Sequence, residues 1–220
     1  MSNNSIIIPG TSDQTITVEG DSDLAAGNIK KDVQIFGVTG TYQGDYLAPV
    51  AKTGQITPYG TGDDGALQKG VAWSVPRFKD NNNGRVTDNL TGLIWLKNAN
   101  CAGPKSWNDA LDFANQLKDG DCGLSDGSQA GEWRLPNRFE LESLLDLQYY
   151  NPPLSNTAGT GQWTEGDPFT NVGWTRYWTS STYSVNTSEA WFVGLMYADI
   201  GTNSKPDLSY YNVWPVRGGQ

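Results

Sequence analysis

The 220-residue sequence predicts an α+β domain, two helices set among many short antiparallel strands, behind a small β-rich N-terminal module. Three observations carry this prediction. Two segments repeat apolar residues at helical spacing behind capping residues. Three others are short and rich in aromatic and β-branched residues: "YWTSSTY" (Tyr177 to Tyr183), "AWFVGLMY" (Ala190 to Tyr197) and "YYNVWPV" (Tyr210 to Val216). Turn residues, as at Asn81 to Gly84 and Asn89 to Gly92, separate further short runs.

Residues 1–44 read as a separate module. "TITV" (Thr15 to Val18) is strand-like, "DLAAGNIKKD" offers one or two helical turns from Asp23, and "VQIFGVTGTY" (Val33 to Tyr42) is a strand broken at Gly37. Such a piece is too small for a good core of its own, so it is expected to pack on a neighbour or to oligomerise. Residues 45–70, rich in Gly, Thr and Asp with few periodic apolar positions, read as a linker or extended lead-in. The main domain is expected over residues 71–220.

Within it, strands are predicted at Arg77 to Lys79, Arg85 to Asp88 and Leu93 to Leu96. The first helix follows Ser106, an N-cap with Asp109 three residues on, and repeats Trp107, Ala110, Leu111, Ala114 and Leu117 until Gly120 stops it. Cys101 and Cys122 flank this helix and are either a disulfide or two inert thiols. Asn137 and Glu140 form a capping box for a second helix from Arg138 to about Leu147, with Phe139, Leu141, Leu144 and Leu145 as its apolar stripe. The chain ends on "SYYNVWPVRGGQ" (Ser209 to Gln220), an aromatic segment where most termini fray. A strand that ends in the core accounts for it.

Composition narrows the function classes. Charged residues make up only 18%, mean hydropathy is −0.51, and Gly (26) and Trp (9) are abundant, a profile that suits a loop-rich extracellular or virion protein. A net charge of −9 and a pI near 4.4 argue against nucleic acid, heparin-like polyanions and anionic membrane surfaces as partners. No run approaches the ~20 apolar residues of a membrane-spanning helix. The start, "MSNNSIIIPGTSDQ", lacks a basic n-region and does not read as a Sec signal peptide. Histidine is absent, which removes Ser-His-Asp and Cys-His catalysis and the commonest zinc ligand.

Three motifs are discounted. "WND" (Trp107 to Asp109) opens a helix, and no "EPN" or "QPD" accompanies it as a calcium and sugar site requires. "DNNNGRVTD" (Asp80 to Asp88) places its Gly one position early for a calcium loop and lacks the closing Glu, so it reads as a turn between strands. Glu140 and Glu142 point apart on a helix and form no acid/base pair. No metal and no cofactor is expected.

Four blocks in order carry a family resemblance: "DNLTGLIWLKNANC" (Asp88 to Cys101), "GEWRLPNRFELESLLD" (Gly131 to Asp146), "YWTSSTYS" (Tyr177 to Ser184) and "VWPVRGGQ" (Val213 to Gln220). Together they resemble the C-terminal domain family of bacterial collagen-like adhesins. The resemblance covers about residues 50–220 and implies a C-type lectin-like fold whose N- and C-terminal strands lie together. Trp214, Val216 and Arg217 would then sit in the central sheet, with Gly218 and Gly219 letting the backbone close tightly. "AGNIKKDVQIFGVTGTY" (Ala26 to Tyr42) separately resembles short modules of phage tail and fibre proteins.

The domain is also similar to the variable proteins of diversity-generating retroelements, in which adenine-directed rewriting randomises AAC-type codons before a constant tail like "VWPVRGGQ". Between Tyr183 and Asn212 only Glu189, Trp191, Met196 and Lys205 cannot arise from AAC by adenine changes. The resemblance therefore implies a ligand-contacting set of Ser184, Asn186, Gly194, Tyr197, Asp199, Gly201, Thr202, Asn203, Ser204, Asp207, Ser209, Tyr210 and Tyr211, with Tyr197, Tyr210 and Tyr211 as anchors. An ordinary polar hairpin is the plainer reading of the same stretch. Trp178, Trp191 and Trp214 sit in apolar strand runs and are expected in the core.

The related formylglycine-generating enzymes use cysteines near the domain's end, whereas both cysteines here precede the second helix, so no catalysis is expected. The expected function is attachment through a variable C-terminal surface, on a virion or cell surface, to a protein or glycan of a host or neighbouring cell. The alternative is an invariant adhesin or structural decoration with a fixed ligand. Homo-oligomer or particle assembly is compatible with either.

Overall fold

A computed structural model of the chain describes residues 34, 35, 38, 39, 50–173, 175–208 and 211–218. The chain parts into two compact units, residues 1–47 and 48–220. In the first, β1 (Gln34–Ile35) pairs antiparallel with β2 (Val38–Thr39); the break expected at Gly37 lies outside the described residues. The strand expected at Thr15 to Val18 and the helical turns expected from Asp23 lie outside the described residues.

The second unit is mixed α+β and mostly sheet. It begins earlier than residue 71, because the expected lead-in is stitched to it. The Leu147 amide donates to the Thr53 carbonyl at 2.8 Å, and the Gln148 side-chain oxygen accepts from the Ile56 and Thr57 amides. The segment also holds a one-turn helix, α1 (Asp64–Leu67), capped by the Asp63 carboxylate on the Ala66 amide.

One four-stranded sheet runs β10-β5-β4-β3, from β3 (Phe78–Asp80), β4 (Arg85–Asp88), β5 (Ile94–Leu96) and β10 (Val216–Arg217), all antiparallel. The first and last strands of the domain thus share a sheet as its two edges rather than lying side by side. The other sheet runs β8-β7-β6-β9, from β6 (Arg176–Thr182), β7 (Glu189–Gly194), β8 (Ile200–Ser204) and β9 (Tyr211–Asn212). Its β6–β9 pair is parallel, against the all-antiparallel expectation.

Local chemistry explains both longer helices. Ser106 caps α2 (Trp107–Gln116) by accepting the Asp109 amide, and Ala110 and Ala114 are buried on its inner face. Asn137 and Glu140 make the expected capping box on α3 (Arg138–Glu142), which ends five residues short of Leu147. Leu145 instead bridges to Leu154, and the Ser143 hydroxyl donates back to the Glu140 carbonyl. Leu141 and Leu144 are buried as expected, while Phe139 is exposed. Cys101 and Cys122 form a disulfide, with Cα atoms 5.7 Å apart.

Trp214 joins the two sheets. Fully buried, it meets Trp95 of β5 at 5.7 Å, Tyr177 of β6 at 5.4 Å and Phe169 at 4.9 Å between centroids, and its indole N–H donates to the Leu96 carbonyl. Each such aromatic pair contributes about 0.5–1.5 kcal/mol beyond area burial. The C-terminus is clamped beyond it. Arg217 pairs with Asp126 at 3.2 Å and Glu132 at 2.9 Å, and the Gly218 carbonyl accepts from Arg134. This is the expected reason for an aromatic, ordered end; Gly219 lies outside the described residues.

Beneath the first sheet, Arg77 and Asp88 form a fully buried pair at 2.9 Å. Asp88 also accepts from the Leu90 amide and the Thr91 hydroxyl, so its carboxylate has no capacity left for the calcium loop that the sequence only superficially suggests.

Candidate ligand-binding surface

The β6–β7–β8 ladder sets the positions of the candidate residues. β7 pairs with β8 in the register Glu189↔Ser204 to Val193↔Ile200, so the loop of residues 183–188 and the turn of residues 195–199 lie at opposite ends of β7. Six strand residues span roughly 17 Å. The expected contact set is therefore not one patch.

At the first end, Ser184, Asn186 and Ser204 are exposed. The loop holds its own shape: the Asn186 side-chain N–H donates to Glu189 at 2.9 Å, and the Ser188 hydroxyl donates to the Asn186 oxygen at 2.7 Å. Val185 projects beside them, 80% exposed. The Lys205 amide closes this end on the Ser188 carbonyl at 2.9 Å.

At the other end, Tyr197 stands on the turn, 68% exposed, and Asp199 anchors what lies beneath it. Arg176, at the start of β6, donates to Asp199 at 3.0 Å and lies over the Phe192 ring, its guanidinium carbon 4.9 Å from the centroid. The charge of Arg176 acts on the nearby Tyr211 hydroxyl, and Asn203 donates to Asp207 at 2.6 Å. Asp199, Asn203, Asp207 and Tyr211 of the expected set thus meet around one arginine that sequence reasoning missed. The available signal was a lone charge opening an aromatic strand.

Burial draws the Arg176 guanidinium down, but the hydrogen bond and charge of Asp199 outweigh it and hold its pKa above the ordinary value. Burial pushes the Tyr211 phenol up, and the charge of Arg176 opposes the shift. The cluster presents a cation, two carboxylates, an amide and a phenol at one spot, an arrangement suited to polar recognition and lacking a nucleophile–base pair.

Three expected contacts are corrected by packing. Tyr211 is only 4% exposed: its ring stacks on Trp178 at 4.1 Å and touches Phe192 at 5.3 Å, leaving the hydroxyl alone to the cluster. Gly194 is buried, and a Cβ there would overlap the Asp199 carboxylate. A Cβ at Gly201 would sit 2.7 Å from the Phe192 ring, which covers that glycine. Neither glycine can carry a contact side chain without displacing its neighbour. Thr202 is spent on Glu189, to which its hydroxyl donates at 2.6 Å. Ser209 and Tyr210 lie outside the described residues.

Of the three tryptophans expected in the core, Trp178 and Trp214 are fully buried, but Trp191 is half-buried. Arg138 lies 4.2 Å over its ring, and Tyr183 meets it at 5.4 Å in a T-shaped pair.

The chain belongs to the Lcl C-terminal domain family, whose model matches residues 84–217. That span takes in every strand of both sheets except β3, together with the whole candidate surface, and it bears out the resemblance carried by the four sequence blocks. A search of curated proteins finds no match to the chain. Among the described residues no helix is long and apolar enough to cross a membrane.

Proposed function

We propose that residues 48–220 form a ligand-binding, adhesin-type domain of C-type lectin-like fold, and that the C-terminal hairpin is its diversified contact surface, as in the targets of diversity-generating retroelements. Membership of the Lcl C-terminal domain family supports the ligand-binding part. One observation carries the rest. Three of the four residues that adenine rewriting of AAC cannot supply make structural side-chain contacts: Glu189 accepts from Thr202, Trp191 lies under Arg138, and Lys205 sits 4.1 Å over the Trp107 ring, while Met196 contributes its backbone carbonyl to the Asn151 amide. The exposed positions Ser184, Asn186, Tyr197 and Ser204 are all of the rewritable kind. Ala190, Phe192, Val193 and Tyr211 are equally rewritable but buried, so variation is expected at the exposed rewritable positions alone.

On this reading the chain attaches a virion or cell surface to a protein or glycan of a host or neighbouring cell, by binding and not by catalysis. Assembly into a homo-oligomer or particle multiplies weak contacts. The fixed adhesin is the second reading, favoured by the Arg176 cluster, whose members already satisfy one another. Replacing Ser184, Asn186, Tyr197 and Ser204 together by alanine tests the surface. The variant is expected to keep its melting temperature and to lose attachment to cells that the parent binds; retained attachment places the contact elsewhere.

A further inference from the structure

A second site lies in the segment that the sequence presents as a linker. Lys52, Gly54, Trp73, Asp146, Tyr149 and Thr160 are among the residues that line an open cavity of about 170 Å³. Its walls are firmly built: the Leu147 amide bonds the Thr53 carbonyl, the Gln148 side chain clamps Ile56 and Thr57, and the Trp73 indole N–H donates to the Lys52 carbonyl at 2.9 Å. Arg77 stacks on Trp73 with its guanidinium carbon 4.4 Å from the ring centroid, fixing the ring's orientation. Asp146, 3% exposed, lines the cavity and accepts the Gln148 amide at 3.0 Å. Gly54 passes so close to this carboxylate that a Cβ there would overlap it and would reach 2.9 Å from the Trp73 ring. The backbone therefore approaches the carboxylate where only glycine can.

The lining fixes the ligand's chemistry. Lys52 and Asp146 both line the space, so it sets a basic and an acidic residue beside a ligand. A ligand whose groups both donate and accept satisfies both, and hydroxyls do this. Trp73 and Tyr149 offer aromatic faces for a ring's C–H surface. The volume corresponds to roughly a dozen water-sized positions, below the range of drug-sized sites. We propose that the Lys52–Trp73–Asp146 cavity binds one neutral sugar ring, free or at the end of a glycan, independently of the C-terminal hairpin.

The test is a nuclear magnetic resonance titration of the full chain with methyl glucoside, galactoside and mannoside in the millimolar range. At least one glycoside is expected to give saturable shifts at the Gly54 amide and Trp73 indole, weakened about tenfold by Lys52→Ala and by Asp146→Ala and unchanged by Tyr197→Ala. Lys52 is only half-buried, so its variant keeps the test valid if Asp146→Ala fails to fold. A trisaccharide ending in the same sugar separates the sources: binding of both identifies a glycan terminus, and binding of the glycoside alone a free sugar. The proposal is overturned if no glycoside saturates these signals, if Lys52→Ala binds as the parent does, or if ammonium or acetate shifts them at lower concentration. Attachment through the hairpin stands or falls separately, because Tyr197→Ala reports on it alone.

Discussion

Arg138 of α3 lies over the ring of Trp191 in β7, guanidinium carbon to centroid 4.2 Å, and Arg138 is itself paired with Glu142 one turn on. The helix thereby grips the middle of the hairpin that carries the candidate surface. A cation over a half-exposed aromatic ring contributes about 0.5–1 kcal/mol, and a half-buried tryptophan adds its own area. Urea unfolding is expected to show Arg138→Ala losing about 1 kcal/mol and Trp191→Ala about 2–3 kcal/mol, while Ser184→Ala and Tyr197→Ala stay within about 0.5 kcal/mol. Equal losses in the two groups would remove the distinction between scaffold and surface.

Gly201 is covered by Phe192, and Gly194 abuts Asp199. Overpacking such contacts costs about 1–3 kcal/mol. Gly201→Val is therefore expected to melt several degrees below the parent, and the deficit should shrink in a Phe192→Leu background, where the covering ring is gone. A deficit that ignores residue 192 would point to backbone strain instead.

The Cys101–Cys122 disulfide closes a loop that contains α2, and α2 packs on β6 through the Trp107 indole N–H bond to the Thr179 carbonyl. Replacing both cysteines by serine is expected to cost about 3 kcal/mol, read from the urea midpoint under oxidising conditions. Parent and variant should converge in excess reductant.

Two buried aspartates give opposite pH slopes. Burial pushes the Asp146 carboxyl from 3.8 up to about 6, against the opposing Gln148 amide and Arg77 charge. Its stabilising contribution is complete below pH 3.8 and is lost as pH rises through about 6. Asp146→Asn is thus expected to gain up to about 3 kcal/mol at neutral pH and to lose the slope across that window. For Asp126, burial works upward, but Ser128 hydrogen bonds and the charges of Arg217 and Arg85 prevail and hold its carboxyl below 3.8. That contribution is present above 3.8 and lost as acid titrates it, so Asp126→Asn should flatten the acid limb and free the C-terminal clamp. Guanidinium titrations at a series of pH values resolve both.

What was legible in the sequence was what local chemistry decides. Ser106 and Asn137 announce their helices by capping, and "VWPVRGGQ" announces a buried terminus by its aromatic content. The lead-in was illegible because its order comes from partners about ninety positions away, as when Gln148 clamps Ile56 and Thr57. Tyr211 was misjudged because a two-residue strand carries too little alternation to say which side a ring takes. Arg176 was missed because its value lies in three residues that the fold alone brings beside it: Asp199, Tyr211 and Phe192.

The measurement that bears most directly on the central claim is deep sequencing of the 3′ end of this gene, with its flanks, from one natural population. The account predicts substitutions at adenine-derived codons for exposed positions such as Ser184, Asn186, Tyr197 and Ser204. It predicts constancy at Glu189, Trp191, Gly194, Gly201, Lys205 and Tyr211, an abrupt stop before "VWPVRGGQ", and a near-copy template beside a reverse transcriptase. Codons between Tyr183 and Asn212 that vary no more than those around Trp95 and Leu135 would contradict it and leave a fixed adhesin.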